Sequence, residues 1–195
     1  MLKQLLFAMA VGCLVTTPAF AGAFGIEMGT PLSQLKDPDL MNGSGPVKTY
    51  YVTAPQPNSE FERYVVTLTT QTGVCSVVGF GRLYDNDRYG NAVRPPYERL
   101  KSVLTTKYGP PVSDQYALLP DALWNKDSDF AASIYRKERV VAVGWRLDER
   151  PGNMNSVTMM ISSNADDTTS VTIAYGFKNY DKCNQIAEQS DNSGL

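Results

Sequence analysis

Three stretches in the second half of the chain alternate apolar and polar residues with a period of two, a spacing that no helix can place on one face. Over 139–147, Val141, Val143, Trp145 and Leu147 share a face; over 156–163, Val157, Met159 and Ile161 do; over 170–178, Val171, Ile173, Tyr175 and Phe177 do. Thr158, Ser162, Ser170, Thr172 and Lys178 lie opposite, interrupted by Ala142, Gly144, Met160, Ala174 and Gly176. One face is core and the other largely wet, the pattern of an antiparallel meander. An earlier group follows the same rule over 47–53, 61–70 and 74–83, the last two joined across Gln71-Thr72-Gly73 as a hairpin.

Helix punctuation occurs twice. Over 94–110, Tyr97, Leu100, Val103, Leu104 and Tyr108 fall on one helical face, with Pro95 and Pro96 at the start and Gly109-Pro110 at the stop. The spacing predicts that Leu100 and Leu104 pack on the apolar face of the meander. A shorter helix is expected over 30–35, with Thr30 as cap, Pro31 at the first helical position and Asp37-Pro38 ending it.

The order of elements therefore predicts an α+β chain of two tandem lobes, each a helix packed on an antiparallel sheet, over 22–93 and 94–183. A polar tail over 184–195 should fray. Ile26-Glu27-Met28-Gly29-Thr30-Pro31-Leu32-Ser33-Gln34-Leu35, and again the 104–111 stretch ending in Tyr108-Gly109-Pro110-Pro111, resemble the helix-plus-Gly-x-Pro signature of small envelope modules. Those modules are the SmpA/OmlA-type outer-membrane assembly lipoproteins and the tandem domains of the β-lactamase-inhibitory-protein type. The resemblance implies a binding module whose helices cover one face of a sheet, and it transfers no functional residue by position.

Residues 1–21 read as a secretory leader: Lys3 supplies a positive start, 5–15 is apolar, and Ala19-Phe20-Ala21 is a small-x-small cleavage pattern. Ala10-Val11-Gly12-Cys13 approaches a lipobox, but Leu14-Val15 would continue the apolar run past the lipidated residue. Release into the periplasm or beyond, without a lipid on Cys13, is the expectation. Nothing later reaches the roughly 18 apolar residues of a membrane-spanning helix, so no permanent span is expected.

Export leaves only Cys75 and Cys183, a pair expected to form a disulfide in an oxidising compartment. Loss of Lys3 moves the formal charge from −2 to −3 with the signs interspersed, and no basic stripe marks a nucleic-acid surface. The chain has no histidine, which removes the usual general base, the Ser-His-Asp arrangement and most imidazole zinc sites.

What chemistry is left has a plain alternative at each place. Asp85-Asn86-Asp87-Arg88-Tyr89-Gly90-Asn91 has the alternating oxygens of a calcium loop, but Tyr89 stands at the fifth position and Pro96 where the closing Glu belongs; a solvated turn is expected. Arg146, Asp148, Glu149 and Arg150 read as a charged hairpin end. No Gly-x-Ser-x-Gly motif is present. Neither a catalytic residue, a metal nor a cofactor is expected.

Eleven tyrosines exceed what one small core uses. Tyr64, Tyr97, Tyr108 and Tyr175 fit core positions, whereas Tyr84 and Tyr89 sit in a predicted loop and, with Tyr116 and Trp124, mark an interaction surface. The function read from these residues is protein binding, with another envelope protein or an inhibited enzyme as partner. A carboxylate- or Ser/Lys-based hydrolase acting on envelope substrates is the alternative.

Overall fold

The structure is a computed structural model that describes residues 22–43 and 45–192, the side chains of 190–192 excepted. The expected leader, its cleavage pattern and Cys13 lie outside these residues. Eight strands form one antiparallel sheet: β1 (Lys36–Asn42), β2 (Val47–Thr53), β3 (Phe61–Thr69), β4 (Gly73–Gly81), β5 (Ser113–Leu118), β6 (Arg139–Arg146), β7 (Met154–Ser163) and β8 (Thr169–Phe177). Three helices accompany it, α1 (Arg94–Tyr108), α2 (Phe130–Tyr135) and α3 (Tyr180–Asn192), so the class is mixed α+β.

The strand order is β1-β2-β3-β4-β8-β7-β6-β5, two four-stranded meanders laid side by side. They meet where β4 pairs with β8, from Ser76↔Gly176 to Phe80↔Thr172. The boundary expected at 93/94 falls between the meanders, but the halves share one sheet and one apolar core. The cause is visible in β4 and β8, whose Val77 and Tyr175 lie side by side on the core face. An apolar strand of that kind left as an edge would expose both its backbone and its side chains.

Alternation decides which face is covered. Val141, Val143 and Trp145 of β6, Val157, Met159 and Ile161 of β7, and Val171, Ile173 and Phe177 of β8 are all buried. Against them pack Tyr97, Leu100, Leu104 and Tyr108 of α1 and Phe130 of α2. Each such side chain contributes about 1.5–3 kcal/mol when fully buried. Val103, expected on the same helical face, is 58% exposed instead, because a stripe of five residues is wider than the strip of helix the sheet covers.

Over the β1–β4 half, the segment before β1 covers the core. Phe24 stands edge-on to Phe61, Tyr64 and Tyr175 with ring centroids 5.3, 4.7 and 5.5 Å away. The helix expected over 30–35 is only a 3-10 turn, Leu32–Gln34, and the Thr30 hydroxyl donates back to Glu27 O instead of capping it. Residues 36–42, where Asp37-Pro38 was expected only to end that helix, form β1.

Of the segment over 184–195 expected to fray, residues 193–195 lie outside the described residues and 184–192 belong to α3. Its Cys183 sulfur is 2.03 Å from that of Cys75, which sits in a β-bulge of β4, and Ile186 and Ala187 lie on the same side of the helix, partly buried. Asp181 lines a cleft with Gly144, Ser156 and Thr158, residues that alternate with core positions, so α3 begins on the face opposite α1. No described helix is long and apolar enough to cross a membrane.

Candidate interaction surface

α1 opens with Pro95 and Pro96, which carry no N–H, so the donors a helix start leaves unsatisfied are concentrated just before them. Asp87 receives them. Its carboxylate accepts from the N–H of Ala92 at 2.9 Å and of Val93 at 3.1 Å, and from the Thr169 hydroxyl at 2.7 Å. Asp87 is 6% exposed, so the turn expected to be solvated is built around a buried, three-fold hydrogen-bonded acid. No cluster of three or more metal-ligating side chains occurs among the described residues.

The same anchoring ties down Tyr84. Its N–H donates to Thr169 O at 2.9 Å, and Thr169 N–H returns the bond at 3.0 Å. The ring is half-buried against the core, and burial raises the phenol pKa, with the Glu60 carboxylate adding to it. Tyr84 thus has a packing role of its own. Tyr89, in the same loop, is 50% exposed.

The next residue along, Gly90, packs on Phe130. A Cβ at Gly90 would stand 2.2 Å from the Phe130 ring and the local φ is +72°, so only glycine fits. Phe130 is fully buried, and two arginines lie over it: the guanidinium carbon of Arg94 is 4.2 Å from the ring centroid and that of Arg139 5.6 Å. Arg139 also lies 6.0 Å from the Tyr116 ring, while its Nε donates to the Ser133 hydroxyl at 2.8 Å. Ser133 in turn donates to Phe130 O at 2.8 Å, which fixes the start of α2.

Arg136 repeats the motif on Trp124, with its guanidinium carbon 4.6 Å from the ring. The Trp124 backbone N–H donates to the Glu138 carboxylate at 2.8 Å, holding the 119–126 loop against the start of β6. Arg88 closes the group from the other side: its Nε donates to Ser128 O at 2.7 Å, and its Nη2 is 3.8 Å from the Asp129 carboxylate.

Tyr116, Trp124 and Tyr89 are therefore attached to one framework of residues 128–139, and Tyr84 is set back into the core behind it. Around them Tyr116 is 57% exposed, Leu119 51% and Leu123 84%. Arg94, Arg136 and Arg139 make no ion pair among the described residues, and each guanidinium lies near an aromatic ring. Phe130, Arg94 and Arg139 were not singled out from sequence, and Asp87 only as one oxygen of a calcium-like turn. Their spacing is irregular, and only the fold brings residue 94 to residue 130.

The sheet edge completes the surface. Every residue of β5 is exposed, and its pairing with β6 runs without a break from Ser113↔Gly144 to Leu118↔Arg139. Leu119 N–H donates to Glu138 O, so by antiparallel alternation Asp114, Tyr116 and Leu118 direct their backbone N–H and C=O away from β6. That row of backbone groups is open.

Comparison of the chain with protein-family models, with curated proteins and with solved structures finds no match.

Proposed function

We propose that this chain is an exported envelope protein that acts by binding another protein, through β5 and the arginine-on-aromatic framework beside it. The observation that carries the reading is the trio Arg94, Arg136 and Arg139, stacked on Phe130, Trp124 and Tyr116 without carboxylate partners among the described residues, at the side of an unpaired strand. Tyr, Trp and Arg are the side chains that dominate binding energy at protein interfaces, because they bring large area at small entropic cost. The partner this surface suits presents an extended segment bearing Asp or Glu, adding a strand to β5 and meeting the guanidinium groups.

Export is part of the same reading: the leader over 1–21 and the Cys75–Cys183 pair both suit an oxidising compartment. We read the two meanders as the two tandem lobes of the resembling envelope modules, a reading supported by each being four consecutive antiparallel strands. Capture from envelope extract, comparing the unmodified protein with a Tyr116→Ala, Leu123→Asp double variant, tests the function. The double variant is expected to lose at least tenfold of the captured partner while keeping its melting temperature. Undiminished capture by the folded variant rejects the surface.

A further inference from the structure

The other end of α1 borders a cavity of about 210 Å³ that the binding surface does not use. Its walls are Met28 from the segment before β1, Tyr108 from the last turn of α1, Leu147 and Met154 from the ends of the β6–β7 hairpin, and Phe177 from the end of β8. Leu147 and Phe177 are otherwise almost wholly buried, so the cavity cuts into the margin of the core. Two cations stand at its mouth. Lys107 places its ammonium 5.0 Å from the Tyr108 ring centroid, and Arg150 brings its Nη2 within 3.3 Å of where a Cβ on Gly109 would stand.

Neither cation forms an ion pair among the described residues, and Glu27 is the single acid in the lining. The C-terminus of α1 offsets about half a charge more, which leaves the mouth positive. The hairpin that carries Arg150 is fixed: Lys178 Nζ donates to Arg150 O at 2.8 Å, and Lys178 N–H to Asn153 O at 2.9 Å. The apolar part of a cavity of this order can take up small apolar molecules.

We infer that this cavity binds a medium-chain monocarboxylate, its tail among Met28, Met154 and Phe177 and its carboxylate between Lys107 and Arg150. A dry apolar cavity of about 150 Å³ takes up benzene, so one of about 210 Å³ has room for the tail of an acid of about eight carbons. The site stands apart from the protein-binding reading, and either can fail without the other.

Methyl NMR of the methionine-labelled protein, titrated with octanoate, octanol, octylamine and hexadecanoate, tests it. Octanoate should shift the Met28 and Met154 methyls, leave the exposed Met41 and Met160 unmoved, and bind about tenfold more tightly than octanol. Octylamine should not bind, and hexadecanoate should gain nothing over octanoate, which separates a short free acid from the acyl chains of membrane lipid. Arg150→Gln should reduce octanoate to the level of octanol, and Met154→Trp should abolish both by filling the cavity.

Equal shifts at Met41 and Met160 would show adsorption to the surface and overturn the site. Octylamine binding as well as octanoate would overturn the anion. A peptide ending in an apolar residue with a free carboxylate, if it bound more tightly than octanoate, would replace the small acid by a protein terminus. Should Arg150→Gln fail to fold, the ligand series on the unmodified protein still decides the matter.

Discussion

The two edges of the sheet are built differently. β1 carries Pro38 and the charges of Lys36, Asp37 and Asp39, its pairing with β2 shifts register twice, and Asp37 adopts a φ of +49°. Those are the devices that keep a strand edge from recruiting another chain. β5 has none of them: its register is continuous, it lacks proline, and its one charge, Asp114, is 2.6 Å from Lys101 of α1. Both edge strands are exposed along their whole length, but behind β5 stands a packed framework on the fully buried Phe130. One edge is blunted and the other is presented, and the difference places the binding reading at β5.

The largest expected effect separates scaffold from surface. Cys75 and Cys183 close a loop spanning 108 positions, for which constraint of the unfolded chain is worth up to about 4–5 kcal/mol. A Cys75→Ala, Cys183→Ala variant should lose up to that much in denaturant melts, while partner capture through β5, under conditions where it stays folded, is unchanged. Loss of capture by the folded variant would tie β5 to the far half of the sheet and break the comparison.

Phe130→Ala should cost about 3–5 kcal/mol, because the ring is fully buried and two guanidinium groups rest on it. At the opposite edge, Leu40→Ala, at a site 52% exposed, should fall within about 0.5 kcal/mol of the unmodified protein. Equal costs at the two edges by chemical denaturation would mean that β5 has no special support.

A smaller effect is expected from Arg139→Ala, which removes contacts to two rings and the bond to Ser133: about 1–3 kcal/mol by thermal melt. Arg139→Lys should recover little of it, since an ammonium cannot lie flat on both rings. Smallest of all should be Leu118→Pro. It deletes an N–H that points away from β6, so stability should move by under about 1 kcal/mol while capture of a strand-adding partner drops at least tenfold.

How much of this was legible in the sequence follows the same division. β6, β7 and β8 announce themselves because one face of each is buried, and burial is what imposes a period of two. β1 and β5 are missed for the complementary reason: an edge strand with every side chain exposed has no alternation to read. α2 escapes because it is six residues long and is organised by Ser133 and Phe130 contacts to β6. α3 looks like a polar tail because few of its residues are buried, and Cys183 fixes it to β4.

At the surface, composition picks out Tyr89, Tyr116 and Trp124 as aromatics beyond what the core uses, though Tyr116 proves to lie in β5. It could not show that Arg94 and Arg139, 45 positions apart in the chain, flank the same ring. Nor did it show that Tyr84, one residue before the turn that holds Asp87, is paired with Thr169 and half-buried.

The central claim is that β5 is the edge through which this chain takes a partner, and amide hydrogen exchange of the free protein and of the captured complex measures it at single residues. The outward-directed N–H groups of Asp114, Tyr116 and Leu118 are predicted to exchange rapidly in the free protein and to become at least tenfold slower in the complex, with β1 unchanged. Protection that appears at β1 or on the α3 face of the sheet, with β5 still exchanging freely, would contradict the account.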